Sequence, residues 1–167
     1  FDITGSNADI TIDADISSSS GNLIENKSTD TTLTITSGSS VTDTSTVAIS
    51  NLTSNKNFVL ISNSGTISAS GYAINNYKNI TTLLNSGLIT ATGWQGNAIR
   101  VEAGGTITNL TNSGTLSSTQ ANTIYITGTI TTLTNTGTIT VTGNNTADDI
   151  GIISSYGDVG SLITLNN

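Results

Sequence analysis

From Phe58 onward, apolar and polar residues alternate in short runs, and one phrase returns in each run. "FVLISNSGTI" begins at Phe58, "ITTLLNSGLI" at Ile80, "ITNLTNSGTL" at Ile107 and "ITTLTNTGTI" at Ile130. With the Asn of each phrase as position zero, Asn63, Asn85, Asn112 and Asn135 are spaced 22, 27 and 23 residues apart. Gly65, Gly87, Gly114 and Gly137 then stand at +2, and Ile67, Ile89, Leu116 and Ile139 at +4. Position +6 holds Ala69, Ala91, Ser118 and Val141, position −2 holds Ile61, Leu83, Leu110 and Leu133, and position −5 holds Phe58, Ile80, Ile107 and Ile130. From −2 to +6 the even positions form one period-2 face, the mark of a half-buried strand. A further apolar residue follows 11 to 15 positions after each Asn, at Ile74, Ile99, Ile124 and Ile150.

Asn and Gly on an inward face are out of place in a straight strand, so the chain is expected to turn a corner there. Gly would supply the backbone freedom for the bend. The Asn amide, which both donates and accepts, would bond the corner backbone and the Asn of the next turn. Repeats of 22 to 32 residues bury their apolar face only by stacking on their neighbours. Three apolar patches per repeat predict three short strands per turn. The expected fold is all-β, a right-handed parallel β-helix of about six turns and one segment over 1–167, since right-handed crossovers are the rule for parallel strands. Residues 58–167 carry the regular repeat and 1–57 a degenerate form of it.

At the C-terminal side, Leu162, Leu165 and Asn167 fit −5, −2 and zero. Upstream, Ile35, Ser37 and Val41 fit −2, zero and +4 without the Asn, and Ile10, Ile12, Ala14 and Ile16 alternate inward, leaving Asp9, Asp13 and Asp15 outside. "TGWQGN" (92–97) and "TGNNTADD" (142–149) lengthen two turns after the +6 strand. Such insertions gather on one edge of a solenoid, often its binding edge.

Composition sharpens this picture. There are 33 Thr, 23 Ser and 20 Asn among 167 residues, and no Pro, Cys, Met or His. Thr favours strands, and Ser, Asn and Gly favour turns. Without Cys there are neither disulfides nor thiolate metal sites, which suits a chain exported unfolded through an oxidising space. The net charge of −7 is concentrated at the ends: residues 44–147 hold only Lys56, Lys78, Arg100 and Glu102. No basic patch points to nucleic acid or anionic lipid, and the longest apolar run, "FVLI", is far short of a membrane span. No leader is visible and the first residue is Phe, so a processed or excised chain is expected.

The unit I-x-x-L-x-N-S-G-x-I, with a later apolar pair as in "NAIRV" (97–101), resembles the passenger domains of bacterial type V autotransporters. It is most similar to the vacuolating-cytotoxin-like and adhesin passengers with N-x-G-x-I repeats. The resemblance implies display on the bacterial surface through a C-terminal outer-membrane barrel, and an adhesive or toxic role. It carries over no functional residue, because the matched positions are scaffold. The partners it implies are a protein or glycan receptor on another cell; the alternative is further copies of the chain stacked end to end in an extracellular filament. A carbohydrate-active enzyme is the weaker alternative.

Candidate chemistry is sparse. Asp148 and Asp149, with Asp158, are the carboxylates closest to a hydrolase pair, but no His and no Arg/Lys cluster accompany them. Asp9, Asp13 and Asp15 share one side of a strand and suggest Ca²⁺, for which six or more oxygen ligands are normally needed. The expectation is therefore no enzyme, no cofactor and no metal. Trp94, the only Trp, is the candidate contact for a receptor or glycan. The Thr-rich pairs flanking +4 suggest an ice-binding grid, broken by Leu88. N-x-S/T triplets at Asn26, Asn51, Asn79, Asn109 and Asn144 are expected by chance in such a composition.

Overall fold

The computed structural model describes residues 1–53, 55–143, 153–155 and 161–167. Every described element is a strand. Successive strands go in turn to three parallel sheets, so that each coil of chain contributes one strand to each. Sheet A contains Asp2–Ser6, Asn22–Thr29, Val47–Asn51, Tyr72–Asn76, Ile99–Val101, Ile124–Ile126 and Ile153–Ser155. Sheet B contains Asp9–Ile12, Thr31–Ile35, Asn57–Asn63, Asn79–Asn85, Thr106–Asn112, Thr129–Asn135 and Ser161–Asn166. Sheet C contains Ile16–Ser18, Ser40–Asp43, Thr66–Ala69, Leu88–Ala91, Thr115–Ser118 and Thr138–Val141. The molecule is a β-solenoid of six three-strand coils, with sheets A and B continuing into a seventh.

The core is a bundle of columns, each built from one residue per coil. Sheet A contributes Ile24, Ile49, Ile74, Ile99 and Ile124 in register. Sheet B contributes two columns, Phe58–Ile80–Ile107–Ile130 and Leu33–Ile61–Leu83–Leu110–Leu133. Sheet C contributes Val41, Ile67, Ile89 and Leu116. All of these are essentially inaccessible to solvent. Burying each such side chain is worth about 1.5–3 kcal/mol, and only the coils above and below can bury it. Positions −5 and −2 differ in parity because strand B carries two successive outward residues between them, such as Thr81 and Thr82; this lets both Ile80 and Leu83 point inward.

The column after Ile124 is filled by Ile153, which pairs with it; Ile150 lies outside the described residues. Leu162 and Leu165 pair with Ile130 and Leu133.

The second coil corrects the sequence register. Ile35 pairs with Asn63, so position zero there is Ile35, and Leu33 holds −2. Ser37 is exposed, and the corner is two residues longer than in later coils, turning through Gly38 at a φ of 86°. Ser39 takes the place of the corner Gly, its buried hydroxyl donating to the carbonyls of Ile12 and Thr36. In the first coil, Ile10, Ile12 and Ile16 pack against the core but Ala14 is exposed, because the corner turns there.

Candidate functional site

Two corners of the solenoid are built on asparagine, and they were not equally visible in the sequence. At the corner between sheets B and C, Asn63 Nδ2 donates to Asn85 Oδ1 at 2.8 Å, Asn85 to Asn112 at 2.7 Å, Asn112 to Asn135 at 2.8 Å and Asn135 to Asn167 at 3.0 Å. Each of the first three amides also reaches the carbonyl of its own coil's corner Gly and the carbonyl of the first C-strand residue one coil on, at Leu88, Thr115 or Thr138. The backbone carbonyls of Asn63, Asn85 and Asn112 in turn each accept two corner N–H groups of the next coil, as Asn85 O does from Ser113 and Gly114.

The corner glycines do not have the role first expected of them. Gly65, Gly87, Gly114 and Gly137 all lie outside the left-handed region. What excludes a side chain is the coil below: a Cβ on Gly114 would lie 2.6 Å from the backbone carbon of Ser86 and closer still to Gly87 O. The requirement is close approach of two backbones, not freedom of φ.

The second ladder runs along the corner between sheets A and B. Asn26 Nδ2 faces Asn51 Oδ1 at 3.4 Å, and Asn51 Nδ2 donates to Asn76 Oδ1 at 2.9 Å. All three are fully buried, so Asn26 and Asn51 are closed to glycosylation in the folded chain. The signal was present, since these Asn are 25 residues apart, but no Gly follows at +2 to mark them.

The outward side of sheet A carries the most varied chemistry of the described residues. Glu25, Ser50, Asn75, Arg100 and Tyr125 form one outward column, each in register with the next. The Arg100 guanidinium lies over the rings of Tyr72, 4.7 Å from the centroid, and Tyr125, at 4.9 Å. Its Nε donates to Glu102 Oε1 at 2.5 Å and its Nη1 to the Tyr72 hydroxyl at 2.9 Å. Burial, and then the Glu102 carboxylate, push the Tyr77 phenol above its ordinary pKa. Ser50 and Asn75, next in the column, are buried although they face outward, and Ser50 Oγ and Asn75 Oδ1 have no hydrogen-bond partner. Arg100 escaped the sequence reading because a lone Arg in a Thr/Asn background gives no motif; its position 25 residues before Tyr125 was the available clue.

Trp94 is 74% exposed, in the loop entering the fifth strand of sheet A. That loop rests on the preceding coil: a Cβ on Gly93 or Gly96 would strike the carbonyl of Ser70, immediately before Gly71 and Tyr72. The structure thus brings the Trp94 loop to the edge of the Tyr72–Arg100 cluster.

The remaining candidates stay apart from it. Asp9, Asp13 and Asp15 are exposed, with Asp15 accepting from Ser40 Oγ at 2.8 Å. Among the described residues no three acidic side chains gather at metal-binding distance. Asp148, Asp149, Asp158 and Asn144 lie outside the described residues. Asp43 is buried at position +6 and caps the corner from sheet C to sheet A, its Oδ1 accepting from the backbone N–H of Ser45 and Thr46. The Thr/Ser pairs of sheet C align in register, with Leu88 in the middle of one row. No described helix is long and apolar enough to cross a membrane.

Comparison with protein-family models, with curated proteins and with solved structures gives no match.

Proposed function

We propose that this solenoid is a non-enzymatic surface scaffold of the adhesin type, similar to an autotransporter passenger, that is displayed outside a bacterial cell and binds a receptor through its edges and loops. The observation that carries the reading is the division of labour between inward and outward residues. Inward positions are taken up by apolar columns and Asn ladders, which lengthen a rod without Cys or metal. Tyr72, Arg100 and Tyr125 gather on the outward side of sheet A, with exposed Trp94 in the loop at its edge, and Trp, Tyr and Arg are the residue types that dominate binding energy at interfaces.

The test uses beads coated with the folded chain, incubated with a panel of epithelial and bacterial cells. Attachment above that of uncoated beads is expected, together with its reduction by Trp94→Ala. Absence of attachment to every cell type on the panel overturns the reading.

A further inference from the structure

We propose that the outward face of sheet A, centred on the Tyr72–Arg100–Tyr125 stack, is a binding site for a neutral, linear oligosaccharide. The inference rests on the surface-binding reading and adds to it a place and a ligand class. The face is a strip. Its strands in coils five and six are three residues long, about 10 Å, whereas a stable protein partner covers about 800 Å² of each surface. Along the rod axis the strip repeats every ~4.8 Å, one strand spacing, close to the length of one pyranose ring. A linear glycan lying along the axis therefore passes one position of this column with each sugar residue: Tyr125 and Arg100 at the surface, then Asn75 and Ser50 buried beneath it.

The chemistry selects a neutral chain. Arg100 already has its counter-ion in Glu102 at 2.5 Å, so the cluster has no net charge with which to hold a uronate or sialate. Two of the five guanidinium N–H groups are used on Glu102 and Tyr72, and the others remain to donate to sugar oxygens. Aromatic rings beside these polar groups suit the apolar faces and equatorial hydroxyls of a pyranose. An independent observation points the same way. Ser50 Oγ and Asn75 Oδ1, adjacent in this column and buried, have no partner, and an unpartnered buried polar atom is a cost that native structures rarely carry without a use. Asn75 Oδ1 needs a donor and Ser50 Oγ can take either role, which is what sugar hydroxyls supply once the side chains above them move aside.

The folded chain is titrated with hexaoses of α-linked glucose, β-linked glucose and N-acetylglucosamine, and with an oligogalacturonate of equal length as the anionic probe. Trp94 fluorescence and calorimetry report binding. At least one neutral hexaose is expected to bind, with the oligogalacturonate weaker by ~10-fold or more. Tyr125→Ala, in protein with wild-type circular dichroism, is expected to lower that affinity by ~10-fold or more. Ser50→Ala separates recognition from folding. It deletes an unpartnered hydroxyl, so Tm stays level or rises, while hexaose affinity falls; a purely structural Ser50 leaves affinity unchanged. Failure of all neutral hexaoses to bind, tighter binding of the oligogalacturonate, or wild-type affinity in both variants overturns the proposal. In the bead assay, attachment that survives both variants and free hexaose removes this site but leaves the surface-binding reading intact.

Discussion

The two asparagine ladders perform the same task at neighbouring corners, and they end differently. The ladder at the corner from sheet A to sheet B is closed at both ends. Asn26 Oδ1, at its start, accepts from Ser28 N–H and Thr31 Oγ1, and Asn76 Nδ2, at its finish, donates to the carbonyls of Lys78 and Thr106. Apolar residues then take over the same column: Ile3 precedes Asn26, and Val101 and Ile126 follow Asn76. The ladder at the corner from B to C begins on Ile35, which has nothing to donate, and Asn63 Oδ1 is left buried without a partner. One column can therefore switch between apolar and amide filling, but the junction is neutral only where side chains such as Thr31 cap it. An uncapped junction leaves an unsatisfied acceptor, at a cost of about 1–3 kcal/mol.

The sharpest way to break the comparison is through glycine, which follows Asn63, Asn85, Asn112 and Asn135 two residues on in the ladder from B to C and follows none of the Asn in the ladder from A to B. Gly114→Ala places a methyl group against the backbone of Ser86 and Gly87, which cannot move without disturbing the ladder beneath. A loss of about 3 kcal/mol is expected, at or above the upper end of ordinary overpacking. Gly38, with open space around its Cβ position but a φ of 86°, is the control for conformational strain alone, and Gly38→Ala is expected to cost about 1 kcal/mol. Urea titration checks both. Equal losses would mean that close approach is not what the corner glycines provide.

Smaller effects are expected from the rungs. In Asn112→Leu, Asn135 Oδ1 loses its donor, while Asn85 Nδ2 keeps the carbonyls of Gly87 and Thr115. One stranded acceptor and the lost corner bonds predict a loss of about 1–3 kcal/mol. Asn63→Leu removes the acceptor that is already unpartnered, so its net cost is expected to fall below that of Asn112→Leu by about 1 kcal/mol. Chemical denaturation of the two variants side by side decides the matter. If Asn63→Leu is the more destabilising, the uncapped junction is not a strained point of the fold.

The same contrast shows how much was legible in the sequence. The ladder from B to C was readable because each Asn is tied to a Gly two residues on and an Ile or Leu four residues on, so four copies could be aligned. The ladder from A to B has only its 25-residue spacing, with variable residues around Asn26, Asn51 and Asn76. The register of Ile35 was misread because the corner holding Ser37 and Gly38 is two residues longer, and an inserted pair preserves period-2 parity. The sheet A cluster was invisible for a different reason. Tyr72, Arg100 and Tyr125 belong to three successive coils, and only the coil lengths between them determine that they meet. Trp94 could be singled out by type, but its neighbours could not.

The smallest expected effect tests whether outward charge matters to this inward architecture. Lys27 Nζ lies 2.8 Å from Asp2 Oδ2 and joins the first two coils, and both side chains are substantially exposed. The hydrogen bond from Lys27 holds the Asp2 carboxyl below its ordinary pKa of 3.8, and the same bond raises Lys27 above 10.5. For Asp2, whose folded pKa is the lower, the contribution to stability is present above 3.8 and disappears as pH falls through the folded value. For Lys27, whose folded pKa is the higher, it is present below 10.5 and disappears as pH rises beyond that. The pair thus acts throughout the neutral range and weakens only at the extremes, and added salt screens it. Lys27→Met is expected to shift the pH 7 melting temperature by no more than a degree or two, and to flatten the acid limb of the stability curve below the ordinary Asp pKa of 3.8. A shift as large as that of Asn112→Leu would mean that the first coil is held to the rod by this ion pair and not by Ile3, Ile10 and Ile12 packing on the coil above it.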